Sequence, residues 1–459
     1  MGGRADGRTG GRAWPSAWVA QALGRPAPVS TSFTGISTDT RELSGGELFV
    51  ALSGERFDAH DFLADAKAKG AVAAVVRRGT PPMDGLPFFD VPDPLAALGQ
   101  LARARRELLP PHASVVAITG SSGKTSTKEM VRAVLATRWR VHATSGNLNN
   151  LVGVPLTILA APEATEALVV EAGASLPGEI PTLRDIIEPT IAVVTNVGAA
   201  HLEGFGSLER LLHEKVSLLD GVPLAVVGTS PALVAEARRR ARAVIVAGGD
   251  VGAGDVRPDR VELDDQGRPV IYWSGGSVTL PVLGLHQVGN AMLALAVAGA
   301  AGIDRAAALA ALARVTLPPG RGSVLQRGGL TIVDDSYNAN PDSVRAALEL
   351  AITLAARQRR PLAVVLGSML ELGAESARLH STVARELLGY RPEPALVAAV
   401  GQFVPAFEPH RTALGERLVT APDAEALGPK LKQALKGDEI VLLKASRGVA
   451  LERVLRHLN

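Results

Sequence analysis

Residues 115–130 read VVAITGSSGKTSTKEM, and the architecture follows from this stretch. The apolar run ending at Thr119 predicts a buried strand, and from Lys124 onward Met130, Val131, Val134 and Leu135 recur at helical spacing. Between strand and helix lies a glycine-rich turn, Gly120, Ser121, Ser122 and Gly123, followed by Lys124, Thr125 and Ser126. Glycines at such a turn let backbone N–H groups curl around phosphate oxygens at a helix N-terminus. Lys124 offers a positive charge to the outer phosphates, and the Thr125 hydroxyl can ligate Mg2+. The spacing is tighter than in the general GxxxxGK[ST] pattern, yet every physical part of a nucleotide site is present.

Working outward, the apolar segments SVVAITG, ALVVEAG, TIAVVTNVG, LAVVG and AVIVAGG alternate with helical patterns. That alternation predicts a parallel sheet covered by helices. A second series repeats the logic: LTIVDDS, PLAVVLG, ALVAAVG and EIVLLKAS, separated by helices such as residues 341–356. Between residues 256 and 283 the pattern alternates around a DDQGRP turn and reads as a small antiparallel insert. Nearer the start, GELFVALSG and AVAAVV are further strand candidates. Double prolines at Pro110–Pro111 and Pro318–Pro319 interrupt both helix and ladder. The expectation is an α/β protein of three domains: a smaller N-terminal one over 1–109, with residues 1–13 disordered, a central P-loop parallel-sheet domain over 110–317, and a Rossmann-like domain over 318–459.

Composition narrows the function. At 47% hydrophobic and 20% charged residues the chain is a folded one. No run approaches the roughly 18 apolar residues of a membrane span, and the first residues lack the apolar core of a signal peptide. The expected setting is the cytoplasm, with no membrane insertion. The absence of cysteine excludes disulfides, thiolate metal sites and cysteine nucleophiles. With 48 basic against 46 acidic residues nothing marks a nucleic-acid surface, and the clusters RARR and ARRRARA read as solvated helix faces.

Several polar residues stand where a parallel sheet places its chemistry, at the carboxyl ends of strands. Glu171 closes ALVVEAG and reads as a hard oxygen ligand for the metal that accompanies a phosphate site. His201 follows the next strand, with Lys215 on the succeeding helix. GLHQVGNAMLALA opens a helix with His286 and carries Asn290. Arg321, in PPGRGS, stands where a hinge can swing a guanidinium toward a terminal phosphate. In IVDDSYNANPDSV, Asp335, Asn338 and Asn340 precede a helix that starts at Pro341.

Taken in order, these motifs resemble the Mur ligases, ATP-dependent amide-forming enzymes of peptidoglycan precursor synthesis. ISTDTRELSGGELFVALSGERFDAHDF is similar to that family's uridine-nucleotide domain, ITGSSGKTSTKEM to its ATP loop and GNLNNLVGVPLTIL to the segment after it. PGEI, TNVGAAHLEGFGSLE, DDSYNANPDSV, MLELG and KASRGVALERV complete the order. The DDSYNANPDS loop is unlike the DYAHTPDS-type loop of the branch that adds the third peptide residue, and most similar to the branch that adds D-alanyl-D-alanine to UDP-N-acetylmuramoyl-tripeptide.

The resemblance implies that Lys124 holds the terminal phosphates, Thr125 and Glu171 one Mg2+, and His201 a second together with Lys215 as its carbamate. It implies adenine at Asn290, ribose at Asp335 and the γ-phosphate at Arg321. Thr38, Asp39, Thr40 and Arg41 would lie at the UDP-sugar. Asn147, Asn338, Asn340, Lys444, Ser446 and Arg447 would lie by the substrates in a closed cleft. A monomer is implied. The chain departs from the family with EAG for EMG, Gln287 for asparagine, HEKVSLL where AKGEI is usual, and Ser368 for the aspartate before MLELG.

Overall fold

The computed structural model describes residues 13–54, 57–199 and 202–458. The disorder expected over 1–13 therefore falls outside the described residues apart from Ala13, and His201 falls outside them as well.

A six-stranded parallel sheet forms around the opening stretch, in the order Val244–Val246, Leu224–Val227, Ile191–Val194, Ser114–Thr119, Ala167–Glu171, Val141–Ala143. Its inner strands are apolar along their length because helices cover both faces, and Val115 to Ile118 are fully buried. Register positions the site. Val194 pairs with Thr119, and Ile118 pairs with Glu171, so three strands end at one level. The phosphate loop, Glu171 and the segment after Val194 therefore leave the sheet side by side. Helix Lys124–Leu135 buries Met130, Val131, Val134 and Leu135, the face its spacing predicted, and packs on helix His286–Ala300.

The second sheet has the order Ser323–Arg327, Leu330–Asp335, Ile440–Lys444, Leu362–Leu366, Leu396–Val400, Leu418–Ala421, antiparallel only at its first pair. Asp335 and Leu366 both pair with Lys444, which sets an acid and a base next to each other at the strand ends. A smaller parallel sheet, Ile36–Ser37, Leu48–Val50, Ala73–Arg77 and Phe88–Val91, comes first in the chain. The insert is antiparallel as expected, with strands Arg260–Leu263, Pro269–Trp273 and Gly276–Thr279. The Asp264 carboxylate closes its turn by accepting from the N–H groups of Gln266 and Arg268.

One reading is corrected. The RARR cluster is not a solvated face. Arg105 is fully buried and donates to the carbonyls of Ala161 and Pro162 at 2.7 and 3.1 Å. Arg103 donates to Asp185 O, and Arg106 to Ile187 O and Glu188 O. The carbonyls at the end of helix Glu179–Ile187 lack intrahelical donors, and guanidinium forks supply them. The ARRRARA cluster does keep Arg238, Arg239 and Arg242 exposed. Among the described residues no helix is long and apolar enough to cross a membrane.

Candidate active site

The phosphate loop is braced before any ligand arrives. Gly123 sits at φ +77°, and a Cβ there would fall 2.5 Å from Asn290 Oδ1, so both conformation and space demand glycine. Thr195 Oγ1 donates to Ser122 O at 2.6 Å, Asn196 Oδ1 accepts from Ser122 N, and Ser121 Oγ donates to Gly198 O. Lys124 Nζ donates to Gly120 O at 2.7 Å. Burial holds its amine below the ordinary lysine range, opposed by Glu171 and reinforced by the positive charge of Arg321.

Glu171, nearly fully buried, accepts from Thr125 Oγ1 on one oxygen at 2.8 Å and from Asn149 Nδ2 on the other at 2.9 Å. Its backbone N–H donates to Thr144 Oγ1. A hydroxyl and a carboxylate held together fit a hard divalent cation. Among the described residues no cluster of three or more His, Cys, Asp or Glu could hold a metal on its own.

Lys215, on helix Leu208–Val216, is fully buried, and its Nζ has no hydrogen-bond partner among the described residues. Burial, helped by the charge of Lys124, lowers its pKa to about 7. It is not among the residues that line the cleft described next.

A cleft of about 500 Å3 opens between the two large sheets. It gathers most of the expected residues: Ser121 to Ser126, Asn147, Glu171, Asn290 and, from the second sheet's side, Arg321, Asp335, Asn338, Asn340 and Lys444. Asp335 pairs with the buried Lys444 at 2.6 Å, and Lys444 also donates to Asn338 O. Asn290 lies against the phosphate loop. Its Oδ1 accepts from Thr127 Oγ1, and its Nδ2 donates to Gln287 Oε1. Gln287 in turn reaches His286 Nε2 at 3.2 Å, so the residue that departs from the family bridges the start of this helix to the loop. Burial lowers the pKa of His286.

Other expected residues stand apart. Thr38, Asp39, Thr40 and Arg41 do not line the cleft. Asp39 caps the turn Thr40–Glu42 and binds the Arg41 guanidinium, which holds its carboxyl below the usual range. Asn340 does line the cleft but serves as a helix cap in a reciprocal box with Ser343, and Ser446, outside the lining, links Ala339 O to Leu370 N. Arg447 sits outside the cleft, bonded to the Tyr337 hydroxyl.

Sequence reasoning passed over Asn149, Asn196, Glu179 and Tyr337, all of which line the cleft. GNLNN signals a polar turn, but nothing in its spacing tells which amide meets Glu171.

Residues 32–106 match the Mur ligase family catalytic domain, 118–298 the Mur ligase middle domain, and 320–447 the Mur ligase glutamate ligase domain. The UDP-N-acetylmuramoyl-tripeptide–D-alanyl-D-alanine ligase of Bacillus subtilis is 34% identical over 444 residues, covering 95% of each chain. Its namesake from Escherichia coli is 37% identical, covering 92% of this chain and 93% of its own. In structure, MurF from Acinetobacter baumannii superposes with a TM-score of 0.86 at 31% identity, covering 97% of this chain and 99% of that one. MurF from Thermotoga maritima in complex with ADP gives 0.78 at 31% identity, covering 92% and 96%. The short phosphate loop, the paired strand ends and this near full-length likeness agree: the chain belongs to the Mur ligase family.

Proposed function

We propose that this protein is an ATP-dependent amide ligase joining D-alanyl-D-alanine to UDP-N-acetylmuramoyl-tripeptide, giving UDP-N-acetylmuramoyl-pentapeptide, ADP and phosphate in peptidoglycan precursor synthesis. The observation that carries the reading is one cleft in which a braced phosphate loop and Glu171 face Arg321, Asp335 and Lys444 from a second sheet. The relatives' shared name supports the choice of substrates.

A carboxylate resists attack by an amine because its leaving group would be oxide. Transfer of the γ-phosphoryl group of ATP to the tripeptide's terminal carboxylate releases ADP and makes an acyl phosphate. The dipeptide amine then adds to the acyl carbon, the tetrahedral adduct expels phosphate, and the amide remains after loss of a proton. Lys124 and Arg321 offset the negative charge that shifts during phosphoryl transfer, where most catalysis of this type lies. Asp335 serves the ribose and Asn290 the adenine side. Thr125 and Glu171 hold Mg2+, with a second ion at His201 and carbamylated Lys215. The metal, when bound, neutralises phosphate oxygens. A buried, unpaired amine with a pKa of about 7 supports the carbamate, since neutral amine adds CO2, loses a proton and becomes an oxygen ligand.

For the substrates, Thr38 to Arg41 serve the UDP-sugar, and Asn147, Asn338, Lys444 and Arg447 the closed cleft. Asn340 and Ser446 act there by fixing loop backbone. The working division of the chain is 1–109, 110–317 and 318–459. The test is phosphate release with Mg-ATP and UDP-N-acetylmuramoyl-tripeptide, with and without D-alanyl-D-alanine, and the product mass. Dipeptide-dependent release with a pentapeptide product is expected. Turnover instead with the dipeptide-stage precursor and a free amino acid would overturn the substrate assignment.

A further inference from the structure

Arg321 faces a problem the cleft itself creates. It stands near enough to Lys124 for the two positive charges to repel, and its Nε is buried without a hydrogen-bond partner among the described residues. No acidic side chain pairs with its guanidinium among the described residues. What it does have is a ring: Arg321 Cζ lies 4.1 Å from the centroid of Tyr337. The same tyrosine donates its backbone N–H to Gly320 O at 3.1 Å, so it grips the hinge both at the backbone before Arg321 and at the guanidinium. Arg447 Nη1 donates to the Tyr337 hydroxyl at 3.1 Å, which ties the ring to the turn after strand Ile440–Lys444.

We propose that Tyr337 is a positioning residue that holds Arg321 beside Lys124 without neutralising it. A carboxylate anchor would fix the guanidinium equally well but cancel the charge that a terminal phosphate needs. An aromatic face attracts the cation through its quadrupole and leaves the net charge in place. This rests on the reading above that Arg321 serves the γ-phosphate.

The experiment compares Tyr337→Leu, Tyr337→Phe, Arg321→Lys, Arg321→Ala and the double variant Tyr337→Leu/Arg321→Ala in the full-length protein. The readouts are affinity for ADP, affinity for a non-hydrolysable ATP analogue, kcat, and KM for ATP and for D-alanyl-D-alanine. Tyr337→Leu should weaken the ATP analogue about tenfold while leaving ADP and the KM for D-alanyl-D-alanine near wild type. Tyr337→Phe keeps the ring face and should retain most of the affinity. Arg321→Lys keeps the charge, loses the stacked plane and should behave like Tyr337→Leu. On the Arg321→Ala background, Tyr337→Leu should add nothing further. Additive losses, or equal loss of ADP and analogue, would overturn the proposal as a merely structural role. So would wild-type behaviour of Arg321→Lys, a conservative change at a half-buried position. Wild-type affinity for the analogue in Arg321→Ala would instead overturn the phosphate role of Arg321, and the proposal with it.

Discussion

Lys124 directs its amine at the carbonyl of Gly120, so an arriving phosphate exchanges a neutral acceptor for an anionic one. The Lys124→Ala variant should lose turnover by about a hundredfold or more, measured as dipeptide-dependent phosphate release, and near-normal activity would refute its role. Lys215 invites a measurement that follows pH. Its native pKa of about 7 lies below the 10.5 of an ordinary lysine. Between those values the unfolded chain holds a proton that the native chain lacks, so this residue's contribution to stability rises with pH across that window and is lost as pH falls toward 7. In the native chain the neutral amine forms around pH 7, within about one unit on either side. Carbamate formed from labelled bicarbonate, read by carbon NMR, should therefore grow from about pH 6 to about pH 8 and vanish in Lys215→Arg. Silence at every pH would remove the carbamate.

At the scale of elements, the polar loop before helix Pro341–Gln358 lines the cleft with Asn338 and Asn340 and also caps the helix. Asn340 Oδ1 accepts from Ser343 N at 2.8 Å while Ser343 Oγ accepts from Asn340 N at 3.0 Å. Asn340→Ala should cost about 1 kcal/mol of stability by urea denaturation, and Asn340→Asp should restore most of it. Equal stability of all three forms would show that the cap contributes nothing. This loop also shows what can be read without coordinates. Pro341 announced the helix start and strict periodicity announced the inner strands, because a buried run or a repeating face is a local property. Edge strands such as Val141–Ala143 and Ser323–Arg327 stayed hidden, being short, part-exposed and chemically mixed. Arg105 read as solvated because charge is written in the chain, whereas its acceptors Ala161 O and Pro162 O lie more than fifty residues away. For the same reason the place of Glu171 at its strand end was legible and Asn149, its partner, was not.

At the scale of the molecule, the buried side chains are distributed unevenly. One continuous cluster runs from Trp14, Phe33 and Phe89 of the first small sheets to Val115, Leu168 and Val194 of the central one. The three arginines of helix Pro94–Glu107 fasten the same pair of layers. The second large sheet lies between two further clusters, one of which takes in Leu283 from the central part, and it meets the rest through the cleft, through the insert, where Arg357 donates to Leu263 O, and through the loop at Gly373, where Glu203 N donates to Glu371 O. Joint burial of apolar surface is what makes unfolding cooperative. In a scanning calorimeter the chain should therefore absorb heat in two steps instead of three, the first two layers melting as one body and the Leu330–Asp335 sheet as another. Adding a nucleotide that touches both should draw the two endotherms together. Three separate steps would mean that the shared core is not a mechanical unit.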